Sequence, residues 1–432
     1  MTTSPAIRYA RTTVLVVVVL VFAVGTINFV IDPFGMNNVI LAQGLNTFKP
    51  ATYTRVRLFK AYEVARVRPQ SLILGTSRSH IGFRCSHEAW AHMDAPCYNL
   101  AFDGATAREI YWYLRHAYAV RPLKHVLLGL EPYHLAPSLS TTRPDFDPLV
   151  LHNPDGDLLP RWFTGNLRIL TSVDTLKASF ETLAAQSTPG PTWFAPDGQR
   201  LGEVFFRQID GKFKQLNPRG YFHMTDEREV GYQTDWMVAA RHKRPVLRPE
   251  PRLDPDEISR AYVKRIVAFC RRHQIDLRII LTPAHAHQLE IMAATGSWEE
   301  VERKKRDLVR LVEDENLRYP DQPATPVFDF SGYSFVTEDE IPAPGSQAEL
   351  RYYWDSSHFK QIVGDYVLDR VYSIADASRT VPPGFGVILN VTTMDAYLAS
   401  ERLRQEDYRR RFPADIAMLR QLVDDALRDD HE

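Results

Sequence analysis

The sequence predicts an α/β protein: a three-layer α/β/α sandwich around a parallel sheet of about five strands, with a long insertion and one N-terminal transmembrane helix. Three observations predict it. From residue 71 onward short apolar runs alternate with helical patterns, as βαβ units require. One stretch, Thr13 to Ile31, carries no charge over 19 residues. The remainder is ordinary: 44% hydrophobic and 24% charged residues among 432, with a mean hydropathy of -0.28, exclude a polytopic membrane protein and a largely disordered chain. The balance of 52 Lys+Arg against 53 Asp+Glu leaves a net charge of -1 and no global field for nucleic acid. Such a length suits two or three domains, or one large α/β domain with insertions.

Nineteen helical residues span about 28 Å, close to the hydrocarbon thickness of a bilayer. Arg8 and Arg11 precede the stretch and Asp32 follows it, so residues 1–12 are expected in the cytoplasm, 13–31 in the inner membrane, and everything after Asp32 in the periplasm. Two other readings stay open. A weak small-x-small site at Ala23-Val24-Gly25 allows a cleaved signal, and the stretch can also be a buried core helix. Cys85 and Cys97 lie twelve residues apart and can pair in an oxidising compartment, with Cys270 left over. Three buried thiols are the other reading. No CxxC or Cys/His spacing points to a structural metal site, the i, i+2 pair His285 and His287 has no carboxylate motif nearby to complete one, and no metal or cofactor is expected.

Residues 32–64 read as a juxtamembrane segment with a short amphipathic helix. The α/β body takes residues 65–135 and 254–380. Its strands are Ser71–Leu74, Cys97–Leu100, His125–Leu130, Asp276–Leu281 and Val327–Phe330, and its helices are Ala105–Val120, Asp256–His273 behind a cap at Asp254, Trp298–Asn316 and Gln361–Ile374. Residues 136–253 break into Pro-, Asp- and Arg-rich pieces with scattered aromatics such as Trp162 and Phe206, and read as an insertion or cap. The basic run Arg241–Arg252 within it reads as a solvated loop. Residues 381–432 read as a C-terminal helical extension.

Active sites of open parallel sheets gather beyond the carboxyl ends of the strands. After the first strand, Gly75-Thr76-Ser77 presents a serine on a strand-to-helix turn, where it can be a nucleophile or an ordinary N-cap. Before the last helix of the body stands Asp355-Ser356-Ser357-His358, in which the carboxylate can fix the imidazole tautomer or cap the helix. His285 and His287, after the fourth strand, can face the same cleft and bind an acceptor sugar, or sit on the surface or cap a helix. Asp329, Ser331 and Tyr333, after the fifth strand, are candidates for lining the substrate.

The order of these residues resembles the SGNH hydrolase superfamily, whose sandwich is flavodoxin-like. The likeness is to its membrane-anchored branch, similar to alginate O-acetyltransferases and related cell-envelope polysaccharide acyltransferases. It rests on Ile73-Leu74-Gly75-Thr76-Ser77-Arg78, on Asn99 to Ala105, on Gly129-Leu130-Glu131, and on Tyr353 to Phe359 with Gly364 after it. The resemblance implies Ser77 as nucleophile, His358 as general base, Asp355 as its partner, and the amides of Ser77 and Gly104 as oxyanion donors. It also implies an envelope polysaccharide or glycolipid as substrate, a multi-pass membrane O-acyltransferase as partner, and no nucleic acid.

Two positions depart from that pattern. Thr76 stands where the family usually has aspartate, and Glu131 stands where an asparagine amide usually donates to the oxyanion. A carboxylate only accepts hydrogen bonds. Glu131 is then structural, or Asn99 or Arg78 substitutes as donor, or the hole has two backbone donors. The expected function is a periplasm-facing serine O-acyltransferase or esterase; the alternative is an inactive scaffold or glycan-binding protein that keeps the fold.

Overall fold

The structure, a computed structural model, describes residues 4–429 except 92, 94, 132–133, 135–144, 153–164, 242–254 and 377. Its elements begin with α1 (Pro5–Ile31), α2 (Val56–Val67), β1 (Ser71–Leu74), α3 (Ser77–Gly82), β2 (Cys97–Asn99), α4 (Ala107–Val120) and β3 (His125–Leu130). There follow α5 (Val173–Ala185), α6 (Gly211–Arg241), α7 (Pro255–Arg272), β4 (Asp276–Leu281), α8 (Ala286–Ala294) and α9 (Trp298–Leu317). The chain ends with β5 (Val327–Asp329), α10 (Gln361–Tyr372), β6 (Val387–Leu389), α11 (Met394–Arg411) and α12 (Pro413–Asp429). Two compact units result. One gathers Met1–Arg68, Arg115–Pro122 and Arg143–Thr192; the other holds Pro69–Leu114, Leu123–Thr142 and Trp193–Glu432.

The first unit is organised by the end of α1. This helix is 27 residues long, and among the described residues it alone is long and apolar enough to cross a membrane. Its apolar side chains are not buried: Val14 to Val19 are 51–63% exposed, which removes the reading as a core helix. Only its last turns pack. Asn28, 1% exposed, donates to the carbonyls of Leu170 (2.7 Å) and Ser172 (3.3 Å) and accepts from Ser179 Oγ of α5 at 2.9 Å. Asp32 then closes the turn beyond the helix, accepting from the amides of Met36, Asn37 and Asn38 and from Lys49 Nζ at 3.0 Å. A helix follows at Val56–Val67, α2.

In the second unit six strands form one mixed sheet in the order β2-β1-β3-β4-β5-β6. The first five run parallel, and β6 pairs antiparallel with β5. The apolar runs explain the centre: β1 is buried throughout, and β3 pairs with β4 from His125↔Asp276 to Leu130↔Leu281. Strands buried on both faces need continuous rather than alternating hydrophobicity. The order reverses between β1 and β3, and a crevice opens at the carboxyl ends of strands at such a switch point.

Several sequence expectations change here. The sheet has a sixth strand, β6, inside the segment expected to be helical; with three residues and an exposed Ile388 it carries too little pattern to be seen. The segment expected as one insertion divides between the two units at residue 192. Its second part contains the long α6, interrupted at Asn217 (φ 58°) before Pro218, where the missing N–H starts a new helical segment. Trp162, Asp254 and the basic run beyond Arg241 lie outside the described residues. Cys85 and Cys97 form a disulfide, and Cys270 is a buried thiol whose pKa burial pushes up.

Candidate active site

The site stands at the switch point. Gly75 (φ 144°) turns the chain directly after β1, in a space where an added Cβ would overlap Ser79 and approach the Gly129 carbonyl at 2.9 Å. Thr76 is the N-cap of α3 but makes no side-chain cap, and Ser77 is the first helical residue. The N-cap reading of Ser77 is therefore replaced, because its Oγ meets His358 Nε2 at 2.9 Å.

His358 is delivered by a closed loop. Tyr353 pairs with Phe359 across it, and the Trp354 amide donates to the His358 carbonyl at 2.9 Å. The loop is tied to α8, where the His285 amide donates to the Ser356 carbonyl at 3.1 Å and Gln288 to Ser356 Oγ at 3.2 Å. Within it Asp355 is 1% exposed and accepts from the amides of Ser357 (2.8 Å) and His358 (2.6 Å). Both its oxygens lie 3.0 Å from His358 Nδ1. Asp355 thus orients the imidazole and does not cap α10. Burial opposes its ionisation, but His358 and the two amides outweigh burial and hold the carboxyl below its usual range. Ser77 and His358 are partly exposed, so the hydroxyl is open to a substrate while its partner carboxylate is not.

The remaining expected residues divide. Glu131, 4% exposed at the end of β3, accepts from the Thr76 hydroxyl and pairs with Arg78 Nε at 3.5 Å. It clamps both neighbours of Ser77 and supplies no oxyanion donor. Arg78 also donates to Ser357 Oγ at 3.2 Å, linking the serine turn to the histidine loop. Asn99 is a correction: fully buried, it donates to the carbonyls of Ser79 (3.0 Å) and Phe83 (2.8 Å), so its amide closes the end of α3 and is not available to an oxyanion. Gly104 (φ 59°) lies in the turn after β2, at the same edge of the sheet as Ser77.

For His285 the helix-cap reading holds, while His287 and the fifth-strand residues have buried structural partners. His285 caps α8, accepting from the His287 amide, and its Nε2 bonds the Asp339 carbonyl at 2.8 Å. His287 is fully buried on Asp226 of α6 at 2.8 Å. Neither lies on the surface or offers itself to a sugar. Asp329 is buried on Lys305 Nζ (2.7 Å), Ser331 and Tyr397, and Tyr333 donates to Glu290 at 2.6 Å. These groups bind α9, α11 and α8 to the sheet, and Asp329 and Tyr333 line a small pocket with Tyr397 and Glu401, with no bond to Ser77 or His358. Among the described residues no cluster of His, Cys, Asp and Glu is placed to hold a metal.

Sequence reasoning gave no role to Phe206, in the insertion, or to Asp103, inside the Asn99–Ala105 motif. The Phe206 ring stacks on Trp354 (5.1 Å) and lies 5.9 Å from the His358 ring. Asp103, in the turn after β2, keeps its side chain 44% exposed while it accepts from Arg200 and meets His80 Nδ1 at 3.3 Å. Partial burial opposes its charge, yet Arg200 and His80 hold it well below the usual carboxylate range. Aromatic and arginine residues clustered just after residue 192 were the available signal. A comparison with family models, curated proteins and solved structures returned no match for this chain.

Proposed function

We propose that the chain is a membrane-anchored serine O-acyltransferase or esterase of the SGNH hydrolase type, facing the periplasm and acting on a cell-envelope glycan or glycolipid. The observation that carries the reading is the continuous Ser77–His358–Asp355 relay, 2.9 Å and then 3.0 Å, whose serine and histidine are 281 positions apart. The flavodoxin-like order of the five parallel strands supports the sandwich, and α1 supports a single-pass inner-membrane anchor. The disulfide favours an oxidising compartment for the body.

In this mechanism His358 Nε2 takes the Ser77 proton as Oγ attacks the acyl carbonyl, and Asp355 steadies the imidazolium that forms. The amides of Ser77 and Gly104 hold the oxyanion. As the tetrahedral intermediate collapses, His358 returns its proton to the leaving group and the acyl group stays on Ser77. A sugar hydroxyl or water then loses its proton to His358 and attacks the acyl-serine. Breakage of that ester and return of the proton restore Ser77. A multi-pass membrane O-acyltransferase is the kind of partner that would bring the acyl group across the membrane.

The test uses the full chain in detergent micelles, a fluorophosphonate probe and p-nitrophenyl acetate. Labelling and acetate release that disappear in Ser77→Ala support the reading. Equal behaviour of wild type and Ser77→Ala overturns it and leaves the inactive scaffold.

A further inference from the structure

The helix α6, whose Tyr221 packs with Trp354 and Phe206 near the histidine loop, carries a carboxylate that takes part in none of the triad's bonds. Glu229 lies on α6, is partly exposed, and among the described residues has no hydrogen-bond or ion-pair partner. Its place follows from helix geometry: Tyr221, Thr225 and Glu229 recur every four residues and share one face of α6. Tyr221 marks where that face looks. Its ring lies 5.9 Å from Phe206, which in turn lies 5.9 Å from His358, and its hydroxyl is held by Asp210 at 2.6 Å. Two turns along, Glu229 feels the charges of Arg78, Arg228, Asp355 and His358. Burial, with Asp355, pushes its carboxyl up against the pull of those cations.

A second carboxylate, Asp103, reaches His358 electrostatically from the turn after β2, half-exposed and fixed by Arg200 and His80. The nearby cations are mostly committed. Arg200 is buried on Asp103 and against the Phe205 ring at 3.8 Å, and Arg78 is engaged with Glu131 and Ser357, while Arg228 is exposed to solvent. Near Ser77, Asp103 is thus held ionised, and Glu229 adds carboxyl oxygens that can accept hydrogen bonds. Such groups bind O–H donors and repel a second carboxylate.

Resting on the acyl-transfer reading, we propose that Glu229 and Asp103 form the acceptor subsite and select a neutral, hydroxyl-rich sugar unit over a uronate. Each carboxylate receives sugar hydroxyls, holding one further hydroxyl where His358 can deprotonate it for attack on the acyl-serine. No charge has to be transferred to either carboxylate for this. Both are specificity-determining groups, and neither replaces His358 as base.

The experiment uses the full chain in detergent micelles with p-nitrophenyl acetate as donor and either a neutral β-glucan tetrasaccharide or a galacturonate tetramer as acceptor. Acetylated oligosaccharide is read by mass spectrometry and free acetate by enzymatic assay. The wild type is expected to acetylate the neutral acceptor at least tenfold better than the uronate. Glu229→Ala should lower the ratio of neutral-sugar transfer to hydrolysis about tenfold, and Glu229→Gln or Asp103→Asn should shift preference toward the uronate. Circular dichroism confirms that each variant is folded. The subsite is overturned if ratio and preference are unchanged in these variants, if the uronate is preferred by the wild type, or if the wild type releases acetate through Ser77 but transfers it to neither acceptor. Absence of Ser77-dependent acetate release fails differently, since it removes the acyl-transfer reading itself.

Discussion

The Thr76 hydroxyl donates to the Glu131 carboxylate across the switch point between β1 and β3. The residue at the position of the expected third oxyanion donor is therefore used to fix the turn that presents Ser77, with Arg78 held by the same carboxylate at 3.5 Å. Glu131→Ala frees both neighbours of the nucleophile, and a misplacement of about 1 Å costs on the order of 10²-fold in rate. Turnover of p-nitrophenyl acetate is expected to fall 10- to 100-fold with little change in KM. Glu131→Gln, which still accepts from Thr76, should recover part of the loss. Wild-type turnover in Glu131→Ala would show that the clamp does not position Ser77.

Asp355 holds three donors at once: the imidazole Nδ1–H and the amides of Ser357 and His358. In Asp355→Asn the amide oxygen can still take the backbone N–H groups, so the loop keeps its shape. Its NH2 then faces Nδ1 and favours the wrong imidazole tautomer. A loss of about 10³–10⁴-fold in turnover is expected with a near-native melting temperature. A loss of less than tenfold would remove Asp355 from the relay.

The legible parts of this chain were those whose pattern is local. The strands β1, β3 and β4 were visible because a strand buried on both faces is a continuous apolar run, and Ser77, Asp355 and His358 because each sits in a short motif at a strand or helix end. Asn99, His285, Asp329 and Tyr333 lie at the correct edge of the sheet, but the edge does not determine whether a side chain faces the cleft or the core. There the competition was decided by buried partners, such as the Ser79 carbonyl for Asn99 and Lys305 for Asp329. Phe206 comes from a segment without a repeating pattern, and only the tertiary fold brings it to His358.

Ser77 opens α3 and His358 stands just before α10, and the two helices meet where α3 ends and α10 begins, at a pair of glycines. A Cβ on Gly364 would overlap the Gly82 carbonyl oxygen, and a Cβ on Gly82 would overlap the Phe359 ring. The backbones therefore approach more closely than any side chain allows. Gly364→Ala is expected to destabilise by about 1–3 kcal/mol, as overpacking does, and to lower turnover by separating Ser77 from His358. Gly231, inside α6 with nothing within 4 Å of an added Cβ, is the control. Gly231→Ala should stabilise by about 0.5–1 kcal/mol through the gain in helix propensity. Thermal melts distinguish the two, and equal melting temperatures for Gly364→Ala and wild type would sink the close-packing argument.

His287 supplies the clearest pH dependence. It is fully buried where α6, α8 and α12 pack together, with Asp226 at 2.8 Å from Nδ1 and Asp415 at 4.0 Å from Nε2. Burial alone would lower its pKa, but Asp226 and then Asp415 outweigh burial and raise it to about 9. The other groups facing the pair are His223 and Arg219 on α6 and His285 on α8, and burial pushes His285 down to about 3, so it stays neutral. With the folded pKa above the unfolded value of 6.5, the pair's contribution is complete below pH 6.5 and is lost as pH rises through 9. The melting temperature of the wild type should therefore fall across that window. His287→Gln leaves Asp226 buried without its cation, which costs about 3–5 kcal/mol, and flattens the dependence. Asp226→Asn combined with His287→Gln removes the stranded charge and should recover part of the loss while remaining flat. A wild-type melting temperature that is constant from pH 6.5 to 9.5, or a slope that survives in His287→Gln, would assign the dependence elsewhere.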